Sequence, residues 1–135
     1  MENPPFIKEL TNNDIDNYFN IIKQLSNNIK KNTNKLIKQK YRKIYLLIHN
    51  DDVIGTGTIF FLEKYHCDNI CLIEDIVIDE KYRKMGYGKK LIKLLLCECK
   101  GKCYKVFLDC KEKNVDFYKK CELKNMGYQM AFYFS

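Results

Sequence analysis

The stretch that most constrains this chain runs from Leu72 to Leu96: LIEDIVIDEKYRKMGYGKKLIKLLL. Leu72-Ile73-Glu74-Asp75-Ile76-Val77-Ile78 is a nearly continuous β-branched run, the pattern of a strand covered on both faces. Two carboxylates in the middle of such a strand are costly unless paired, hydrogen-bonded or opened to a solvated cleft. After a polar turn comes Arg83-Lys84-Met85-Gly86-Tyr87-Gly88, and then the apolar helix Leu91–Cys99. The glycines allow a sharp turn and leave backbone amides uncovered. A helix that starts here points its unpaired N–H groups at the loop and makes an anion site. Arg83, Lys84, Lys89 and Lys90 add positive potential. The loop is neither of two common phosphate motifs. The third glycine of Gly-x-Gly-x-x-Gly is replaced by Leu91, and no Gly-Lys-Ser/Thr follows, which excludes a Walker A loop.

The rest of the chain supplies partners for this unit. Phe6–Leu10 reads as a first strand, and Thr11 with Asp14 three residues on is a helix-start signal. Ile15, Tyr18, Phe19, Ile22 and Leu25 then recur at helical spacing, as core positions. Ser26-Asn27-Asn28 ends that helix, and a Lys-rich second helix through Leu36 and Ile37 follows. Ile44–His49 and Val53–Glu63 are strands joined by the turn Asn50-Asp51-Asp52. Gly55 and Gly57 within the second mark a bulge or a close backbone approach. Tyr104–Asp109 is a further buried strand. The order strand–loop–helix–strand implies a right-handed crossover to a parallel neighbour. Asn114–Cys121 is a short helix, and Met126–Phe134 is a closing strand. The expected architecture is a single α/β domain over 1–135: a mixed sheet with antiparallel N-terminal strands, a central parallel pair and helices on both faces.

The chain has 135 residues, 46% of them hydrophobic, and a formal charge of +7. It is long enough for one core and too apolar for a disordered chain. The basic surplus favours an anionic partner. A nucleic-acid-binding domain is the alternative from another class, but it needs Lys and Arg clustered among exposed aromatics, and here they are scattered. Seven cysteines show no metal-binding spacing: Cys97-x-Cys99-x-x-x-Cys103 is not a zinc knuckle. The expectation is reduced cysteines, no metal, no membrane segment and a cytoplasmic protein.

Strand side chains alternate, so Glu74 and Asp75 face opposite sides unless a bulge intervenes. Asp109, ending the next strand, opens into the same crevice. Acyl transfer to an amine requires the ammonium to lose a proton, and a carboxylate at hand can accept it. Asn114 and Tyr118 are four residues apart and share a helix face.

Arg83-x-x-Gly86-x-Gly88 resembles the acetyl-CoA signature of the GNAT acetyltransferases. With Ile73–Val77 before it and Leu108–Tyr118 after it, the chain is similar to the glucosamine-6-phosphate N-acetyltransferase family, most strongly from Leu72 to Cys121. The resemblance implies acetyl transfer from acetyl-CoA to the amine of glucosamine 6-phosphate in a ternary complex, feeding UDP-N-acetylglucosamine synthesis. Another amine, on a peptide, a lysine or a polyamine, is the alternative within the superfamily. It implies acetyl-CoA contacts from Ile76, Val77, Ile78, Arg83, Lys84, Met85, Gly86, Tyr87, Gly88, Lys89, Asn114 and Tyr118. It implies sugar contacts from Ser26, Lys64, Glu74, Asp75, Ile76 and Asp109. Glu74 or Asp109 is the expected base, and Tyr118 the group that protonates or hydrogen-bonds the leaving thiolate. The resemblance also implies a homodimer joined by the last strand, in which Tyr133 stands where the family has a phosphate-binding arginine. Only Lys64 and His66 remain as basic residues in the connection before the central strand.

Overall fold

The computed structural model describes residues 3–26 and 40–134, so the expected Lys-rich second helix and Ser135 lie outside the described residues. The elements are β1 (Phe6–Glu9), α1 (Ile15–Ile22), β2 (Arg42–His49), β3 (Asp52–Leu62), β4 (Ile70–Ile78), α2 (Tyr87–Cys99), β5 (Lys105–Phe107) and α3 (Val115–Lys120). The strands lie in sequence order in one sheet, β1-β2-β3-β4-β5. The first four are antiparallel neighbours, and β4 pairs β5 in parallel. That parallel pair closes the sheet's order among the described residues. Its ladder is short, Ile70 to Lys105, Cys71 to Val106 and Leu72 to Phe107.

Alternation in β2 divides the core between the two faces. Ile44, Leu46 and Ile48 join Tyr18, Phe19, Ile21 and Ile22 of α1 on one side. Tyr45 and Leu47 join Leu91, Leu95 and Cys99 of α2 on the other. Helices therefore cover both faces, as the β-branched central strand requires. Thr11 opens the first turn. Its backbone N–H and its hydroxyl both donate to Asp14 Oδ2, at 3.0 and 2.6 Å. Burial pushes the Asp14 carboxyl up, but the Thr11 bonds and Lys8 outweigh it and hold the group below the ordinary range. Leu25 falls past the end of α1 and is 52% exposed rather than core.

Gly57 explains how closely α2 lies on the sheet: a Cβ there would meet Leu95 Cδ1 at 2.6 Å. The expected helix start at Leu91 moves back to Tyr87, because Gly86 takes φ +86° and caps α2 in the left-handed region.

The closing strand is not found. Among the described residues Met126–Phe134 has no strand pairing. Tyr128, Met130, Phe132 and Phe134 are each more than four-fifths exposed. Gly127, at φ +146°, carries the chain off the body, so the segment's alternating side chains meet no sheet within the chain.

Candidate active site

β4 carries the feature around which the candidate site is built. Thr56 of β3 pairs with Val77, but Thr58 pairs with Glu74. Two residues of β4, Asp75 and Ile76, thus stand opposite Gly57 alone, which is a β-bulge. Asp75 takes φ +53°, a left-handed conformation that Asp tolerates better than most residues. The bulge resets the alternation. Ile73 packs with α2, as does Ile76, while Val77 packs with α1. Counting from Ile73 forward and from Ile76 back puts Glu74 and Asp75 on the same face, that of α1. The opposite-face arrangement expected of a regular strand is replaced by a pair.

The electrostatics follow from that pairing. Burial raises the Glu74 carboxyl above its usual range, and the neighbouring charges of Asp75 and Asp109 raise it further. Burial also raises Asp75, partly offset by the Arg42 guanidinium. The Tyr18 phenol, buried beside Asp75 and Arg42, is pushed up to about 12. Asp109 lies just past β5, exposed, and accepts a hydrogen bond from Gln129 Nε2 at 2.8 Å. Three carboxylates from two adjacent strands therefore converge.

Beyond Leu72 and Phe107 the β4–β5 ladder stops. From Ile73 to Ile78, β4 is paired with β3 on one edge only, leaving main-chain donors and acceptors on the other. Among the expected cofactor residues, Val77 is core by its side chain and Ile76 and Ile78 pack against the α2 cluster. What these residues offer a ligand is this backbone edge.

The loop after β4 is clasped from below. Arg83 Nε donates to the Ile78 carbonyl at 3.0 Å, and Arg83 Nη2 donates to Gln24 Oε1 at 3.4 Å. Gln24 Oε1 also accepts the Glu80 N–H at 3.0 Å. Gln24 Nε2 donates to Asp79 Oδ1 at 3.4 Å. Arg83 thus spends much of its donor capacity shaping the loop. Tyr87 is anchored by a 3.0 Å contact of its hydroxyl with His49 Nδ1. Lys84 at φ +64° and Gly86 at φ +86° turn the chain into α2, whose first amides have no carbonyl within their own helix. Gly86 meets no atom where a Cβ would stand, so its role is conformational. Gly88 serves contact instead: a Cβ there would lie 3.2 Å from Phe117 Cζ. That close approach docks α3 on the start of α2.

On α3, Tyr118 is half-buried, its phenol raised by burial and by the nearby Cys110 and Cys121 thiols. Phe117 packs edge-on against it with ring centroids 5.0 Å apart. Asn114 is exposed at the helix start, as Lys84, Met85 and Lys89 are around the loop. Ser26 is exposed at the last described position after α1.

Lys64 stands apart. Leu62, two residues before it, pairs with Ile70, which lies roughly 13 Å along the strand from Glu74 at about 3.3 Å per residue. Lys64 lines a cavity of about 520 Å³ with Cys67, Asp68 and Lys102 at that far end. Two other residues, Gln24 and Arg42, enter the site without any sequence signal. Gln24 reaches a loop 55 positions away or more, and Arg42 opens a strand whose start the apolar pattern placed at Ile44.

Among the described residues no helix is long and apolar enough to cross a membrane. The acetyltransferase (GNAT) family matches residues 8–122. Glucosamine 6-phosphate N-acetyltransferase of Arabidopsis thaliana is 39% identical over 85 residues, 61% of this chain and 57% of that protein. The enzyme of the same name from Schizosaccharomyces pombe is 33% identical over 107 residues, 73% of this chain and 96% of that one. The chain thus spans a little over half of the first relative's length and nearly all of the second. The crystal structure of glucosamine-6-phosphate N-acetyltransferase from Arabidopsis thaliana superposes with a TM-score of 0.83 at 26% identity, covering 98% of this chain and 100% of that one.

Proposed function

Because the chain belongs to the GNAT acetyltransferases and, within them, to the glucosamine 6-phosphate N-acetyltransferase family, we propose that it moves acetyl from acetyl-CoA to the amine of glucosamine 6-phosphate. The observation that carries this reading is the β4 bulge, which turns Glu74 and Asp75 to one face beside Asp109, next to a β4 edge that lacks a partner strand.

The two halves of the acetyl donor suit the two halves of the site. The opening amides of α2, with Lys84, Lys89 and Lys90 around them, fit the pyrophosphate. The amides of pantetheine fit the open edge of Ile73–Ile78 as an added strand. The thioester then lies between the carboxylates and Tyr118.

The sugar enters as an ammonium. Glu74 is the better base of the carboxylates, since burial and two like charges raise its proton affinity. It takes the proton directly or through one water. The freed nitrogen attacks the thioester carbonyl carbon, a C–N bond forms, and the C–S bond breaks with the electron pair passing to sulfur. Tyr118 is fully protonated at neutral pH because its pKa is raised. A phenol above 10 does not give its proton outright to a thiolate of pKa about 8.5, so its contribution is a hydrogen bond that stabilises the departing sulfur.

The sugar phosphate calls for cationic donors. Arg42, whose charge reaches Asp75 and Tyr18, is a better candidate than the distant Lys64, and Asp75 and Ser26 suit the sugar hydroxyls. The exposed apolar row of the last segment exceeds what a monomer ordinarily leaves to water. It fits the second subunit of a homodimer, and sedimentation should give a dimer at micromolar concentration. A fully active monomer would refute that assembly.

The deciding experiment is release of coenzyme A thiol from acetyl-CoA against a panel of amines. Glucosamine 6-phosphate should be the preferred acceptor. Turnover with a peptide or polyamine and none with the phosphosugar would make this a GNAT enzyme for another amine.

A further inference from the structure

The cysteines look unpatterned in the sequence, but the fold gathers three of them. Cys71 comes from β4, Cys99 from the last residue of α2, and Cys103 from the turn that leads to β5. Their Sγ atoms all lie within 4.8 Å of one another. Cys71 and Cys99 are each 1% exposed, and Cys103 is half-buried. They are free thiols, not a disulfide.

We propose that Cys71, Cys99 and Cys103 form a three-thiolate site for zinc. Zinc suits it on three counts. It takes thiolate sulfur at about 2.3 Å and imposes no geometry of its own, so tetrahedral ligands stand roughly 3.8 Å apart. The three sulfurs need close by no more than about 1 Å to reach that separation. Three protein ligands with a fourth, open position is also an established zinc arrangement. The open position has a route to solvent. Cys103 lines the 520 Å³ cavity at this end of the sheet, together with Cys67, whose Sγ lies 3.8 Å from His66 Nε2. A water or Cys67 can complete the shell from there.

Charge and protons balance. Each thiol gives up one proton as the ion enters, so Zn²⁺ and three Cys–SH yield a zinc tris-thiolate of charge −1 and three protons. Lys102, on the cavity wall, is close enough to Cys99 to favour its thiolate and offsets that residual charge. Burial pushes the Cys99 thiol up to about 11 and Cys71 higher still. Without an ion the three sulfurs are therefore neutral, poorly nucleophilic thiols at physiological pH. The ion would tie β4, α2 and the turn before β5 together. Both its place and its role are distinct from the acetyl-transfer site, whose loop lies at the other end of β4.

The test uses the whole chain, purified under reducing conditions. It is loaded with zinc, freed of excess by gel filtration, and analysed for metal. Cadmium titration, followed by thiolate-to-cadmium charge transfer in the ultraviolet, is the second readout. One zinc per chain is expected, with a raised Tm that a chelator reverses. Cys97→Ser, at an exposed position, should keep the ion. Cys71→Ser and Cys103→Ser should each lose it, and the cadmium band should shrink accordingly. If Cys71→Ser fails to fold, Cys103→Ser decides, because its partly exposed side chain tolerates the change. Absence of bound zinc and of a cadmium band in the reduced wild type would overturn the proposal. So would zinc retained in full by Cys103→Ser, which would assign the metal to surface thiols.

Discussion

Gly57 sits where three demands meet. It faces the β4 bulge, it lies under α2, and its missing side chain is the space that Leu95 occupies. Consider Gly57→Ala. The new Cβ would stand 2.6 Å from Leu95 Cδ1 and 3.7 Å from Leu95 Cγ. Carbon atoms settle at about 3.5–4.0 Å, so one of them must move by roughly 1 Å. The tip of a leucine can often swing away, but Leu95 is 0% exposed and packed among Leu91, Ile59 and Ile73. Overpacking of this kind costs about 1–3 kcal/mol. For a chain of this length, at about 2.1 cal/mol/K per residue, that lowers Tm by about 4–10 °C. The proof lies in a double-mutant cycle read by thermal and urea unfolding. Leu95→Ala alone should cost about 2–5 kcal/mol by leaving a cavity. Added to that background, Gly57→Ala should be neutral or stabilising, because its methyl group now fills space. Additive losses, with the double variant the least stable of the set, would refute the steric account and leave backbone strain at the bulge as the cause.

Three further outcomes follow from the site. Glu74→Gln should abolish most of the turnover, while in the wild type kcat/KM rises with pH through an acidic limb whose pKa lies above the ordinary Glu value. The same substitution should raise Tm at neutral pH: a carboxyl with a folded pKa above its unfolded one loses stability as pH rises through that window. A Tm that falls instead would remove the charge-repulsion argument. Tyr118→Phe should lower kcat by about 10- to 150-fold with KM little changed, the 1.5–3 kcal/mol of a hydrogen bond to a charged acceptor; steady-state kinetics showing wild-type kcat would reduce Tyr118 to packing. Arg42→Ala should cut the preference for glucosamine 6-phosphate over glucosamine by a similar about 10- to 150-fold, and Lys64→Ala should leave it unchanged; the reverse pattern in kcat/KM would return the phosphate to the β3–β4 connection.

Much of the fold is readable in the chain because its signals are local. The β-branched run of β4, the Asn50–Asp52 turn and the Thr11–Asp14 cap each announce an element through neighbouring residues, and the structure contains all three. The bulge was legible only as a condition. Gly55 and Gly57 hinted at an irregularity, but its position depends on the register of β3 against β4, which no single strand encodes. The same limit hid the pairing of Glu74 with Asp75. Gln24 and Arg42 were invisible because their partners lie far along the chain, and nothing about a glutamine after a helix announces a loop it will hold. The cysteine cluster escaped for the same reason: Cys71 is 28 residues before Cys99, outside any spacing rule. The closing strand was misjudged from a true pattern. Alternation from Tyr128 to Phe134 states that two faces differ, not which chain supplies the neighbouring strand.

The order of the strands also bears on how the molecule assembles. β1 to β4 are joined in sequence order by antiparallel pairings, so most of the sheet forms from contacts between near neighbours, the kind that closes quickly. β5 is different. It reaches β4 only after α2 and holds it through three paired positions. Everything after it, including Asp109, Asn114 and Tyr118, hangs on that short ladder and on the contact of Phe117 with Gly88. In amide hydrogen exchange the meander from Arg42 to Ile73 should form the slowest unit, and the region from Lys105 to Cys121 a faster one that opens independently. Half of the candidate chemistry would then sit on the part of the protein that undocks first. An acetyl donor bridging α2, the β4 edge and α3 would bind only the docked state, and its binding would slow that opening.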